Sequence, residues 1–358
     1  LIQLWKLKRE AAGFWQRLRI FPDVVAELPA RSRNERAFAA GLPIRQGLAA
    51  PSPRVALILI FQRAGVAGSV IETCRHLQQR GYAVFVVSNT PVSRGDWARL
   101  EPHVWQLVER GNFGRDFGGY RDGIRLLLAA GPHIEMLLIL NDSIWFPLWP
   151  DETLLDRIES SEADIAGPVM RSDRSGEKFL ESYFLGVKRA AIHTGEFRRF
   201  WEVYKPTSNK LVVVRKGEIG FSAAMRAAGC SIATVYGRDE FLAGVAAADL
   251  DFLERTLRHS AHSDPALVAR SDDLLTQPRD GAWRDRALAH VRDVVSQRPF
   301  HCNFPFAAVR LMGYPVLKKT GDRMNSLWRR AFVSAVEAGD IPQPIPAIYA
   351  EIAASLGR

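Results

Sequence analysis

Short, continuously apolar runs alternate with amphipathic stretches between residues 54 and 237, and this rhythm limits the fold more than any other feature. Val55–Phe61, Ala83–Ser88, Val104–Glu109 and Met136–Leu140 are too short for ordinary helices and read as strands. A run with no polar alternation fits a strand covered on both faces, as in a parallel sheet. Gly68–Gln79, Phe117–Ala130 and Asp151–Ser160 read as helices, and Asp164–Val169 as a further strand. The βαβα order predicts an α/β fold, a mostly parallel sheet flanked by helices. Farther on, Ser182–Val187 and Ile232–Tyr236 read as strands, and Arg189–Tyr204 and Glu218–Ala228 as helices. After about residue 240 the pattern is helical or irregular, with polar His259–Ser271 as a loop.

The 358 residues and 47% hydrophobic content suit one large α/β domain with helical additions at both ends. The expected division is a basic helical region over 1–50, a central domain over 54–240, and a mainly helical region over 241–358. Pro51-Ser52-Pro53 ends the first region. Residues 1–50 carry nine Lys/Arg against four Asp/Glu, interleaved with Trp5, Phe14, Trp15 and Phe21. Such a segment either lies on an anionic membrane surface or packs on the domain with a solvated basic face.

The net charge of +9 favours anionic partners, including phosphorylated substrates. No zinc finger or RNA-binding pattern is present, so a nucleic-acid partner is not expected. Three widely spaced cysteines, Cys74, Cys230 and Cys302, give neither a disulfide framework nor a CxxC metal site. They fit a reducing, cytoplasmic compartment. No apolar window approaches the ~18 residues of a membrane span, and no secretory signal pattern is expected.

Ligands of open parallel sheets bind outside the carboxyl ends of the strands. Three polar places fall there: Ser88-Asn89, Gly111–Asp122, and Asn141-Asp142-Ser143. An acid delivered by a buried strand can hold Mg²⁺ or Mn²⁺ against a diphosphate. The same Asn-Asp-Ser triplet also suits an Asx-turn or a helix cap. Gly111–Asp122 contains no P-loop and no GxGxxG. It combines glycines, two acids and two arginines before a helix, where backbone amides bind anions; a plain loop capped by Asp116 is the other reading. Glu218, at the expected start of a helix, is either a dipole-complementing acid or a general base. His301 is either a packing residue or a ligand. No GxSxG or HExxH is present.

Taken in order, these segments resemble the rhamnan synthesis protein F family of polysaccharide glycosyltransferases. The matching stretches are Val86-Val87-Ser88-Asn89, Asn112-Phe113-Gly114-Arg115-Asp116-Phe117-Gly118 and Leu140-Asn141-Asp142-Ser143. Glu181-Ser182-Tyr183-Phe184, Phe200-Trp201 and Glu218-Ile219-Gly220 follow, with a weaker echo in Gly313–Lys318. The resemblance implies a GT-A-like fold, a nucleoside-diphosphate sugar donor, and transfer to a glycan or lipid-linked glycan acceptor. Rhamnose-containing and O-antigen-type polymers are the family's association, and the inner face of the cytoplasmic membrane the implied place of work.

By that likeness, Asp142 is the catalytic and metal-binding acid, with Mg²⁺ or Mn²⁺ as cofactor, although the triplet is not a strict D-x-D motif, since Ser143 stands in place of its second acid. Ser88, Asn89, Asn112, Gly114, Arg115, Asp116, Gly118, Asn141 and Ser143 would bind the donor. Glu181, Tyr183 and His301 would line the acceptor or sugar pocket, and Glu218 would be the base of an inverting displacement. Arg115 replaces an aromatic and Glu181 a glutamine of the family pattern, changes that bear on sugar choice. A non-catalytic scaffold subunit of a polysaccharide assembly, and another nucleotide-dependent enzyme on a doubly wound sheet, are the competing readings.

Overall fold

Four strands carry the core, and their middles are apolar because both faces are covered there. They are β2 (Arg54–Ile60), β3 (Ala83–Ser88), β4 (Gln106–Glu109) and β5 (Met136–Asn141), preceded by β1 (Ile44–Gln46) and followed by β6 (Phe184–Lys188). Every residue of β3 and β5 is buried. The computed structural model describes residues 26–131, 133–173 and 175–357. The expected basic helix lies mostly in residues 1–25, outside the described residues.

The chain forms two compact units. One comprises the described residues up to Val66, Gly81–Asn141 and Arg171–Ile232; the other comprises Ala67–Arg80, Asp142–Met170 and the residues from Ala233 onward. The first unit holds a mixed sheet with six strands in the order β1-β4-β3-β2-β5-β6. The β2–β3, β2–β5 and β3–β4 pairs are parallel. The outer pairs β1–β4 and β5–β6 are antiparallel. The α/β expectation therefore holds, with antiparallel strands at β1 and β6. The chain leaves β2 toward β3 and β4, then returns to β5 on the other side of β2. That reversal of strand order creates a crevice at the carboxyl ends of the strands.

Helix α1 (Leu28–Ala39) has no buried residue, and α2 (Arg94–Leu100) starts at the capping Ser93. Helix α3 (Arg115–Ala130) crosses from β4 to β5 and approaches the sheet closely. A Cβ at Gly119 would lie 2.2 Å from Leu59 Cδ1, and one at Gly123 2.7 Å from Val87 Cγ2. Only glycine fits these two places at this spacing.

Several expected elements change. Arg189–Tyr204 is not one helix: a short turn, Arg189–Ile192, precedes α4 (Gly195–Val203). The chain restarts at Thr194, whose hydroxyl accepts from Phe197 N at 3.1 Å. Glu218 does not open an α-helix. It lies in a π-helical turn, Val214–Ile219, ahead of α5 (Gly220–Ala227). His259–Ser271 is not all loop, since Pro265–Thr276 is helical. Asp264 caps it by accepting from Ala266 N at 3.0 Å, and Pro265 suits the first helical position. That helix buries only Ser271 and Leu274, so its periodicity is faint.

The second unit is mainly helical. Its helices include Leu250–Arg258, Gly281–Gln297, Pro305–Met312 and Arg323–Glu337, with Trp283, Phe304 and Trp328 fully buried. A small antiparallel ladder joins Ile144–Trp145 to Leu317–Lys318.

Candidate active site

The carboxyl ends of β3 and β4 meet in a buried polar network centred on Arg110, directly after β4. Its Nε donates to Asp122 Oδ2 at 2.8 Å, and Nη1 to Asn89 Oδ1 at 2.7 Å. Nη2 donates to Asn34 Oδ1 at 3.0 Å and to the Phe113 carbonyl at 2.6 Å. The Arg110 and Asp122 side chains are each 1% exposed. Burial pushes the Arg110 guanidinium down, and the Asp122 carboxylate pushes it back up. Asn89 passes the contact on: its Nδ2 donates to Asn112 Oδ1 at 3.0 Å. Ser88 is buried beside it, with its hydroxyl bonded to the Thr90 carbonyl. Arg121 grips Glu35 with both nitrogens, at 2.6 and 3.0 Å. Burial raises the Glu35 carboxyl, but Arg121 and Arg125 outweigh it and hold it below its usual range. These bonds tie α1 to the site although α1 buries nothing.

A tight turn then starts α3. Gly114 has φ +86°, and a Cβ there would lie 2.6 Å from Pro206 Cβ. Arg115 follows at φ +51°, a left-handed conformation that is uncommon outside glycine and marks local strain. Its Nε donates to the Ser208 carbonyl. Gly118 is needed for space, since a Cβ would lie 2.4 Å from the Phe113 carbonyl oxygen. Asp116 is exposed on the first turn of α3, where a carboxylate complements the helix dipole.

At the end of β5, Asn141 Nδ2 donates to Asp116 Oδ2 at 3.2 Å, joining the turn to the strand. Next to it, Tyr120 donates to the Ser182 carbonyl at 2.9 Å, and Ser182 Oγ donates to Glu218 Oε1 at 2.7 Å. The π-helical turn reaches α3 because Gly217 has no side chain. A Cβ there would lie 2.7 Å from the Phe117 ring. Glu218 is half-buried, and Arg215 and Lys216 on the same turn are exposed. The Glu181 carboxylate is bound by Arg171, and Tyr183 is buried.

Of the residues expected from sequence, the first unit thus links Ser88, Asn89 and Asn112 at one place, and Asp116 with Asn141 at another. Glu218 meets Ser182 between Glu181 and Tyr183. Asp142, Ser143 and His301 belong to the second unit. Asp142 and Ser143 form a turn between β5 and Ile144–Trp145, and both are half-buried. The Ser143 carbonyl accepts from Lys319 N at 2.8 Å. Burial pushes the Lys319 ammonium down, while Glu351 and then Asp142 push it up. A lysine therefore stands within electrostatic reach of Asp142. Sequence reading missed it because 177 positions separate the two residues. Arg110 was missed as well; its partners lie 12, 21 and 76 positions away. His301 is buried and stacks on Tyr314 at 4.8 Å.

No group of three or more His, Cys, Asp or Glu side chains forms a metal cluster among the described residues. A hard divalent ion takes about six to eight oxygen ligands, and a single carboxylate such as Asp142 would supply only part of that set. No helix among the described residues is long and apolar enough to cross a membrane.

Comparison with known proteins adds three findings. An uncharacterized protein, y4gN, of Sinorhizobium fredii is 31% identical over 244 residues, 68% of this chain. The chain spans 64% of that relative's length. A solved mannosyltransferase, PcManGT from Pyrobaculum calidifontis in complex with GDP-Man and Mn²⁺, matches at 14% identity with a TM-score of 0.33. That match covers 88% of this chain and 96% of the other, and at such a score it carries no argument about this chain's chemistry. The resemblance read from the motifs is borne out in the third finding: residues 84–250 match the family described as rhamnan synthesis protein F.

Proposed function

We propose that the chain is a glycosyltransferase of bacterial surface-polysaccharide assembly, with its catalytic domain over residues 54–240. One observation carries this reading. Within the family-matched segment, the carboxyl ends of parallel strands gather Asn89, Asn112, Asp116 and Asn141, and a half-buried Glu218 lies at the end of a serine hydrogen bond. Such strand ends are where α/β sheets hold nucleotides. The donor is a nucleoside-diphosphate sugar and the acceptor a growing or lipid-linked glycan; rhamnose is the sugar suggested by the family's name.

The reaction is a single inverting displacement. The acceptor hydroxyl oxygen bonds to the anomeric carbon, the bond from that carbon to the diphosphate oxygen breaks, and the nucleoside diphosphate leaves with the electron pair. Glu218 takes the hydroxyl proton. Asn89, Asn112, Gly114, Arg115 and Asp116 line the donor's nucleotide and sugar. By the family likeness Asp142 is the acid that serves the diphosphate, and Lys319 lies within electrostatic reach of it. A divalent ion held by Asp142 and the diphosphate would supply further charge neutralisation.

The test is transfer by the Asp142→Ala variant. The expected result is loss of transfer with an unchanged melting temperature. Near-normal turnover would remove Asp142 from the site.

A further inference from the structure

We infer that Arg110 is a positioning residue that fixes the hydrogen-bond polarity of the nucleotide pocket, so that Asn112 meets its ligand as a donor. This inference rests on the donor-site reading above. It follows from which atoms can donate. A guanidinium has N–H groups and no acceptor. Arg110 Nη1 faces the Asn89 amide at 2.7 Å, so that atom of Asn89 is the oxygen. The other end of the Asn89 amide is then NH₂, a donor only, and it faces Asn112 at 3.0 Å. Asn112 must turn its own oxygen inward to accept. Its NH₂ is left on the exposed surface of the loop, and Asn112 makes no other hydrogen bond among the described residues.

Two amides in series thus transmit the sign of one buried cation to the pocket wall. Rotation of the relay is blocked at its root, because Arg110 is also held by Asp122, Asn34 and the Phe113 carbonyl. The matching ligand atom is an acceptor oxygen or ring nitrogen of the nucleotide, on the base or on the phosphates.

The experiment is calorimetric titration of the full chain with UDP, GDP, dTDP and inorganic pyrophosphate. The variants are Asn89→Asp and Asn112→Asp. Asn89→Asp keeps an acceptor for Arg110 but removes the donor toward Asn112. Asn112 then turns round, donates inward and presents its carbonyl outward. The expected result is about tenfold weaker binding of the preferred nucleotide, the size of one hydrogen bond, with a melting temperature no lower than wild type. Asn112→Asp should weaken binding at least as much. The loss should persist at about 1 M salt, where long-range repulsion is screened. An equal loss for pyrophosphate would assign the acceptor to the phosphates, and an unchanged pyrophosphate affinity would assign it to the base. Wild-type affinity in Asn89→Asp would overturn the relay while leaving the donor site intact. If wild type binds no nucleotide at all, the donor-site reading falls, and the relay falls with it.

Discussion

Glu218 is the proposed general base. It is half-buried on a π-helical turn, and Ser182 Oγ donates to one of its oxygens at 2.7 Å. Such turns interrupt regular helices and are frequent at functional sites. Glu218→Gln keeps the shape and the contact with Ser182 but cannot accept the acceptor's proton. Turnover should fall about 10²- to 10⁴-fold, the usual range for a general base, with little change in donor KM. Initial rates at saturating donor measure this, and a wild-type kcat would assign the base elsewhere. Residue by residue, the polar side chains at the strand ends were legible in the sequence. Arg110 was not, because nothing local marks an arginine whose partners are distant in the chain. The π-helical turn was equally hidden, since its sequence reads as the start of an ordinary helix.

At the scale of elements, α3 is the piece on which the site depends. It brings Asp116 to Asn141 and Asp122 to Arg110, and two glycines set its distance from the sheet. Gly119→Ala separates two effects. Alanine favours a helix interior by about 1 kcal/mol over glycine, whereas overpacking typically costs about 1–3 kcal/mol. With Leu59 Cδ1 at 2.2 Å from the new Cβ, the steric cost should win. The urea midpoint should fall with an unchanged m-value; a higher midpoint would mean that α3 tolerates lifting from the sheet. The strands β2, β3 and β5 were readable because burial on both faces leaves their interiors apolar, with polar residues only at their ends, Arg54, Ser88 and Asn141. β1 is three residues long with an exposed Ile44, and α1 buries nothing, so neither carries a hydrophobic pattern to detect.

Across the whole molecule, the chain's resistance to acid depends in part on histidines buried in the second unit. His262 Nδ1 lies 3.0 Å from Asn303 Oδ1, and His290 Nε2 lies 2.9 Å from Ser271 Oγ. The two rings meet edge to face at 5.6 Å. Burial pushes both imidazoles down, His290 to about 4 from an ordinary 6.5. The unfolded chain therefore takes up these protons first as pH falls. Stability from this source is complete above about pH 6.5 and is lost progressively toward about pH 4. The melting temperature should fall through that window, and His290→Gln should reduce the slope; an equal slope in the variant would place the acid sensitivity in other groups. The central claim concerns the site of the first unit, and a thermal-shift panel of UDP-, GDP- and dTDP-sugars, with and without Mn²⁺, tests it most directly. The account predicts a clear rise in melting temperature with one nucleotide class, reduced in Asp116→Ala. No rise with any donor in a well-folded sample would contradict it.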